Sequence, residues 1–289
     1  MQKIKNKKSF KREVVVLYHE NCLDGFCGRW VAWKKFGDHA RYYAVPPRQL
    51  PAQIRAIKDA DIYVIDNSLR KTDMDVLRKK NCRVVVLDHH ASSETDVKSA
   101  DEYLFDIKHS GAMLAWKYFF PRKSVPRLVL HIEDGDLWNF KLSHTDDIRN
   151  VLGSKGFILK EWDIMARALE IASSRKQIVS QGKVIELYRA ILIGKSVVNA
   201  YLIRFGGHTV YAVNEATEGI RSEVAHRLYA KRPPFSVVWS REKNEYHISI
   251  RSTGVFDCAR LAKKYGGGGH KVAAGFSWPA HKPLPWKDA

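Results

Sequence analysis

The sequence lacks the long apolar run that a membrane-spanning helix needs. None of its stretches approaches the roughly 18 apolar residues of such a helix, and the longest early run, Val14 to Tyr18, is too short for a signal-peptide core. It also lacks any C-x-x-C pair, so neither a disulfide framework nor a thiolate zinc site is indicated. We therefore expect a soluble, cytoplasmic protein with four reduced cysteines: Cys22, Cys27, Cys82 and Cys258.

Proline and glycine are also scarce, with 10 and 18 residues in a chain of 289, and 45% of the residues are hydrophobic. A chain of this length buries roughly three-quarters of its unfolded surface, which excludes disordered, collagen-like and small disulfide-rich proteins. At roughly 150 residues per domain, the length predicts about two domains.

Acidic residues are outnumbered, because 49 Lys and Arg stand against 31 Asp and Glu and give a net charge of +18. Such a charge attracts polyanions, and phosphate-rich substrates are the leading class of partner. The segment Met1 to Arg12 holds six Lys or Arg and no acid, which fits either a solvated tail or a contact with substrate. With no amphipathic apolar face to insert, we expect no membrane partner.

Short β-branched runs alternate with helical segments in the first half of the chain, a pattern typical of a parallel sheet built from βαβ units. We predict helices at Gly25–Phe36, Gln53–Lys58, Thr72–Lys79 with Thr72 as N-cap, Ser110–Phe119 and Val125–Glu133. The predicted strands are Glu13–Tyr18, Ala40–Ala44, Ile62–Asp66, Arg83–Leu87 and Tyr103–Asp106.

The pattern changes after Phe157, where helical spacing continues without a strand to Ile193. A second, smaller set of strands and helices follows. The sequence therefore predicts an α/β protein with an N-terminal parallel-sheet domain over residues 1–155, a helical connector over 156–195 and a C-terminal α+β domain over 196–289.

Acids and histidines cluster where the predicted parallel strands end. Because the carboxyl ends of such strands meet at one edge of the sheet, these residues should converge. Carboxylates packed together resist ionisation unless a cation lies among them, so convergence implies either a bound metal or raised pKa values. Mixed imidazole and carboxylate ligands suit manganese, iron or zinc better than magnesium. The residues are His19, Asp24, Asp66, Asp88, His89 and His90, with Asp134 and Asp136 joining from a later loop.

Each acid also has a structural interpretation. Asp24 could cap a helix or form a turn with Gly25, Asp66 could belong to a strand-ending turn, and Asp134 could cap the next helix. Two histidines and an acid directly after the apolar run VVVL are harder to explain by packing.

The segment VVVLDHH at 84–90 resembles the signature of the DHH phosphoesterase family. The segment ISIRSTGVFDCARLAKKYGGGGHKVAAGF at 248–276 resembles the DHH-associated domain, whose hallmark is a GGGGH loop followed by AAGF. The two segments stand in the family's order and spacing, and the resemblance covers nearly the whole chain.

The resemblance implies a manganese-dependent phosphohydrolase with two metal ions on the first domain and substrate held across an interdomain cleft. Asp66 would bridge the ions, His19 would belong to the first site, and Asp24, His89 and Asp134 would complete the second. Among the catalytic residues, Asp88 would orient the histidines and His90 would face the scissile phosphate.

The first motif departs from the family pattern in two ways. The usual D-x-D-G reads Cys22-Leu23-Asp24-Gly25 here, so a thiol replaces one carboxylate. The interval from His19 to Asp24 is also one residue shorter than usual. A weakened first metal site is the expected consequence, and loss of activity is an alternative. Three replacements for the missing carboxylate remain open: the Cys22 thiolate, Asn21, or water.

The second domain is predicted to bind substrate. A run of four glycines leaves backbone N–H groups to face an anion, and an arginine grips a phosphate through two hydrogen bonds. His270 adds a donor, and Ser252 resembles a family position near substrate. The predicted substrate-binding residues are Arg251, Ser252, Gly267, Gly268, Gly269 and His270.

These features predict a phosphodiesterase or exonuclease that hydrolyses short single-stranded RNA or DNA, or dinucleotides, to mononucleotides with metal-activated water. Hydrolysis of nucleoside bisphosphates or of linear or cyclic dinucleotides is the alternative within the enzyme class. A degenerate, non-catalytic nucleotide-binding module is the alternative outside it. A homodimer is a possible assembly.

Overall fold

A computed structural model describes residues 12–289. The predicted basic segment Met1 to Arg12 therefore lies outside the described residues, apart from Arg12 itself. Among residues 12–289, no helix is both long and apolar enough to cross a membrane. The chain divides into two compact units at Lys183 and Val184, a boundary that falls inside the predicted helical connector.

The first unit is built on a five-stranded parallel sheet with the strand order β2-β1-β3-β4-β5. Its apolar runs are buried on both faces of the sheet, as parallel strands covered by helices require. All five strands match predicted strands to within two residues at either end. They are β1 Glu13–His19, β2 Ala40–Val45, β3 Ala60–Ile65, β4 Arg83–Asp88 and β5 Glu102–Phe105.

Nine helices surround or follow this sheet among the described residues. The predicted N-cap at Thr72 is wrong, because the third helix begins at Lys71, whose N–H donates to the Asp96 carboxylate from a distant segment. The helices are α1 Leu23–Phe36, α2 Ala52–Arg55, α3 Lys71–Lys80, α4 Glu94–Val97, α5 Gly111–Phe119, α6 Arg127–Asp136, α7 Thr145–Ser154, α8 Leu159–Glu170 and α9 Ala172–Val198.

The second unit is a seven-stranded mixed sheet with the order β10-β11-β9-β8-β7-β6-β12 and two helices. Its apolar core includes Val210, Phe235, Val237 and Ile250, all fully buried. Its elements are β6 Tyr201–Phe205, β7 His208–Asn214, α10 Glu218–Lys231, β8 Phe235–Glu242, β9 Glu245–Ser252, α11 Cys258–Lys263, β10 Gly268–Gly269, β11 Ala273–Pro279 and β12 Lys287–Asp288.

Candidate metal centre

The parallel sheet brings the predicted acids and histidines of the first unit to one edge. His19 is the last residue of β1, Asp66 directly follows β3, and Asp88 ends β4. Asp24 lies in the first turn of α1, which begins four residues after β1. The site is therefore assembled from side chains that are far apart in the sequence and adjacent in the sheet.

Asp66 occupies the middle of this cluster. One carboxylate oxygen, Oδ2, lies 3.2 Å from His19 Nδ1, and the other, Oδ1, lies 3.2 Å from His89 Nε2. Oδ1 is buried and makes no hydrogen bond within the described residues. This oxygen faces His89 without an aligned hydrogen bond, and a bound cation would compensate its buried charge more fully. Asp66 also has a positive φ of 53°, which aspartate tolerates better than most residues.

Two groups of ligand atoms share this carboxylate. His19, Asp66 and His90 form the first, and Asp24, Asp66 and His89 form the second. Within each group all ligand atoms lie within 4.8 Å of one another. Mixed imidazole and carboxylate donors at this spacing fit divalent transition metals, so the residues present fit a pair of ions with Asp66 between them.

Asp24 is held in place by the start of α5. Its Oδ2 accepts a hydrogen bond from Gly111 N at 2.6 Å, and its Oδ1 accepts one from Ala112 N at 3.0 Å. A Cβ on Gly111 would lie 2.4 Å from Asp66 Cβ, and one on Gly25 would lie 2.4 Å from the His19 carbonyl oxygen. Both glycines are therefore required for the close packing around the cluster.

Asp88 is fully buried and contacts His90. Its Oδ1 is 2.7 Å from His90 Nδ1, which fixes the orientation of that ring. His90 is thus placed both against Asp88 and in the same group of ligand atoms as His19, where the sequence had assigned it a contact with the scissile phosphate.

Mutual repulsion of the carboxylates shifts the acid–base properties of the cluster. Burial, together with the neighbouring charges of Asp66 and Asp136, raises the pKa of Asp24 well above its ordinary value. Burial would lower the pKa of His89, but the surrounding carboxylates outweigh it and raise that pKa to about 10. Asp66 also resists the effect of burial, because contacts with His19 and His89 hold its pKa well below its ordinary value.

Asp134 does not lie in the cluster, although the sequence predicted it as a metal ligand. Its Oδ1 accepts a hydrogen bond from Lys141 N at 2.8 Å, while its Oδ2 accepts bonds from Leu142 N at 3.1 Å and from Thr145 Oγ1 at 2.6 Å. The carboxylate therefore fixes the segment between α6 and α7.

Asp136, at the end of the same helix, takes the place that was expected for Asp134. Its Oδ2 lies 3.6 Å from His89 Nε2. Burial and the Asp66 charge raise the pKa of Asp136 to about 6, whereas the positive charges of His89, His90 and Arg149 lower it. Arg149, which the sequence did not single out, lies across Gly135, where a Cβ would be 2.4 Å from its Cδ.

Cys22 is the residue before α1 and belongs to neither group of ligand atoms. Burial and the charges of Asp66, Asp136 and Asp24 raise the pKa of its thiol well above the ordinary value. The thiol therefore lies within the electrostatic field of the cluster in its protonated form. Asn21 is exposed and has a positive φ of 52°.

The predicted substrate residues of the second unit have varied environments. Arg251 on β9 is half-buried, and burial lowers the pKa of its guanidinium. The Ser252 hydroxyl donates to the Phe256 carbonyl at 2.7 Å and accepts from Gly254 N at 3.2 Å, so it is used within a turn.

The expectation that the glycine run leaves its N–H groups for an anion is wrong for two of the four glycines, and the N–H of the following His270 is also used within the protein. The N–H groups of Gly266, Gly267 and His270 donate to the carbonyls of Lys263, Ala262 and Ala273. Gly268 and Gly269 form β10 against β11. A Cβ on Gly267 would lie 2.1 Å from the Gly275 carbonyl oxygen, so close approach of backbones explains this glycine.

Comparisons with known proteins agree with this architecture. Residues 194–284 match the DHHA1 domain. An uncharacterized protein of Acanthamoeba polyphaga mimivirus is 28% identical over 299 residues, covering 93% of this chain and 68% of that protein.

Two solved structures share the fold. RecJ from Thermus thermophilus, in complex with Mn²⁺, aligns with a TM-score of 0.56 and 15% identity over 93% of this chain and 50% of its own. A pGpG-specific phosphodiesterase from Vibrio cholerae aligns with a TM-score of 0.52 and 13% identity over 93% of this chain and 94% of its own.

The fold and the site define a two-unit α/β protein with a cluster of acids and histidines on its parallel sheet. The match of residues 194–284 to the DHHA1 domain confirms the predicted resemblance of the C-terminal region to the DHH-associated domain, and the two solved structures show the shared fold.

Proposed function

We propose that this protein is a metal-dependent phosphodiesterase that hydrolyses short oligonucleotides to mononucleotides. The observation that carries the proposal is the pair of ligand groups that share Asp66, one of whose oxygens is buried and makes no hydrogen bond within the described residues. Divalent ions held there would supply Lewis-acid catalysis and activate water at neutral pH. Manganese is the proposed ion because imidazole ligands favour a transition metal over Mg²⁺, and the RecJ structure that shares the fold is a complex with Mn²⁺.

The chain's own residues have distinct roles in this proposal. Asp66 would contribute to both metal positions, His19 and His90 would complete the first, and Asp24 and His89 would complete the second. Asp136 replaces Asp134 as the later acid, because it alone of the two approaches His89. Asp88 holds the His90 ring through Nδ1 and so positions it toward Asp66.

Short oligonucleotides are favoured as substrates by charge and by the comparisons. A net charge of +18 attracts polyanions, and the name of the Vibrio cholerae enzyme gives a dinucleotide as its substrate. In the DHHA1 domain we assign phosphate binding to Arg251, which makes no ion pair within 4 Å among residues 12–289, and to His270. Nucleoside bisphosphates are the alternative substrate.

The test is Mn²⁺-dependent release of mononucleotide from end-labelled RNAs of two to about twelve residues, beside a nucleoside 3′,5′-bisphosphate. Asp66→Ala should abolish turnover, because both ligand groups lose their shared carboxylate. Asp288→Ala removes an exposed acid on β12 and serves as the matched control. Turnover by Asp66→Ala at the wild-type rate would refute the assignment.

A further inference from the structure

A cavity with a basic wall lies on the first unit, and none of the residues that line it belongs to the metal centre. Its volume is about 700 Å³. It lies between the start of α6, the segment 142–144 before α7 and the first part of α9. This size falls within the range of small-molecule binding sites in proteins.

The charged side chains of the cavity wall are all positive. Four Lys or Arg side chains line it, and none of its lining residues is Asp or Glu. Arg127 pairs with Glu170 outside the wall, and Arg175 donates to the Leu169 carbonyl. The remaining two cations, Lys176 and Lys183, make no ion pair within 4 Å among residues 12–289. An anion in the cavity would therefore meet two available ammonium groups.

The positions of these lysines follow from the helix. Lys176, Ser180 and Lys183 are spaced i, i+4 and i+7 on α9, so they share one face. Ser143 on the opposite wall adds a second hydroxyl. Ammonium and hydroxyl donors around one space are the groups that bind phosphate oxygens.

Two parts of the cavity wall, α9 at Gly182 and the segment 142–144, are held in place by contacts within the protein. At Gly182 the helix α9 approaches α7 so closely that a Cβ would lie 2.1 Å from the Asp147 carbonyl oxygen. The segment 142–144 is fixed by the hydrogen bonds that Asp134 accepts on either side of it, from Lys141 N and Thr145 Oγ1. The cavity therefore does not need a ligand to form.

We propose that this cavity binds phosphate groups of a nucleotide or of a short oligonucleotide. His131 in its wall and Asp136 at the metal centre lie on the same helix, five residues or roughly 7.5 Å apart along the axis. The ligand is thus either a further phosphate of the oligonucleotide at the metal centre or a separate nucleotide. The first source rests on the proposed function, and the second does not.

The test measures binding without catalysis. A fluorescent pentaribonucleotide and AMP are titrated against the full chain in EDTA, which removes divalent ions. Lys176→Glu/Lys183→Glu reverses the two available charges. Lys35→Glu/Lys160→Glu makes the same charge change at exposed helix positions outside the cavity and is the matched control. Thermal unfolding verifies that both variants are folded.

We expect the cavity variant to bind the pentanucleotide at least about tenfold more weakly than the control variant. The slope of log affinity against log salt should fall in magnitude by about 1.4, corresponding to two lost phosphate contacts on a single strand. Equal affinity of the two variants both for the pentanucleotide and for AMP, with equal salt slopes, would overturn the proposal.

Two further measurements, KM for RNAs of different length and AMP binding, decide which molecule supplies the phosphate. If it is a later phosphate of the substrate, the cavity variant raises KM for the pentamer and leaves KM for a dinucleotide unchanged. If it is a separate nucleotide, AMP binding is lost and both KM values are unchanged. Binding in EDTA by wild-type protein that fails to hydrolyse any RNA would refute the proposed function while leaving the cavity proposal intact.

Discussion

The two acids of the EDGDLW segment offer a sharp test, because the same substitution should have opposite consequences two residues apart. In Asp134→Asn, the new amide group can present only one oxygen to the three donors that the carboxylate now binds: Lys141 N, Leu142 N and Thr145 Oγ1. Hydrogen bonds to a charged group contribute about 1.5–3 kcal/mol each. Lys141 and Leu142 are exposed, so water can replace the oxygen that their N–H groups lose, and the total loss is smaller than the sum of three bonds.

We therefore expect Asp134→Asn to lower the free energy of unfolding of the first unit by about 3 kcal/mol. For a unit of this size that corresponds to a fall in Tm of about 6–12 °C. The folded fraction should bind Mn²⁺ as the wild type does, because the side chain makes no contact with the cluster.

Asp136→Asn should instead weaken Mn²⁺ binding without lowering the stability of the protein. Loss of a carboxylate beside His89 should weaken Mn²⁺ binding by at least about tenfold. The pKa of Asp136 is raised to about 6, so the charge that it still carries at neutral pH lowers the stability of the metal-free folded state. The Tm of the metal-free protein should therefore not fall.

Calorimetric Mn²⁺ titration and thermal unfolding in EDTA, run on both variants, give the four numbers needed. If folded Asp134→Asn lost the metal while Asp136→Asn retained it, the placement of α6 against the cluster would be refuted.

Two further outcomes follow from the packing and charge of the site. Gly111→Ala should weaken Mn²⁺ binding and cost about 1–3 kcal/mol of stability, because the new Cβ overlaps Asp66. The control variant Gly153→Ala, which has open space around the new Cβ, should instead raise stability by about 0.5–1 kcal/mol. Equal changes in the Tm of the two variants would contradict this. Since the pKa of His89 is raised to about 10, it is protonated at neutral pH and must lose its proton to bind an ion. Mn²⁺ affinity should thus rise between pH 6 and 8 with release of about one proton, measured by calorimetry in two buffers; a flat profile would exclude this.

Much of the first unit could be predicted because its chemistry follows its strands. The apolar runs mark β1, β3 and β4, and the residues that end them converge because parallel strands share an edge. Two motifs, VVVLDHH and GGGGH with AAGF, identified the family resemblance. These are local patterns, which a sequence displays directly.

The choice between Asp134 and Asp136 could not be made in the same way. Residues two apart on a helix point in directions about 200° apart, so only one can face the sheet, and packing of the helix decides which. Arg149 was missed because α7 was not predicted at all. The signal was there: Ile148, Val151 and Leu152 recur at helical spacing, and all are buried.

The predictions of Thr72 as the N-cap of α3 and of an anion-binding glycine run were wrong for another reason. Asp96, which binds the Lys71 N–H, is 25 residues away, and no local pattern reports such a contact. Glycines also look alike in sequence whether they bind an anion or admit a neighbouring backbone, and at Gly267 the second explanation applies.

The order of the ligands along the chain has a consequence for synthesis of the protein. His19 and Asp24 emerge from the ribosome first, Asp66, His89 and His90 follow, and Asp136 comes more than a hundred residues after Asp24. A nascent chain that has passed His90 already holds both groups of ligand atoms, but it lacks the α5 N–H groups that fix Asp24 and the Asp136 carboxylate of α6. Under the proposed function, such a chain would bind a metal ion loosely. Tight retention of the ion would then require docking of α5 and α6.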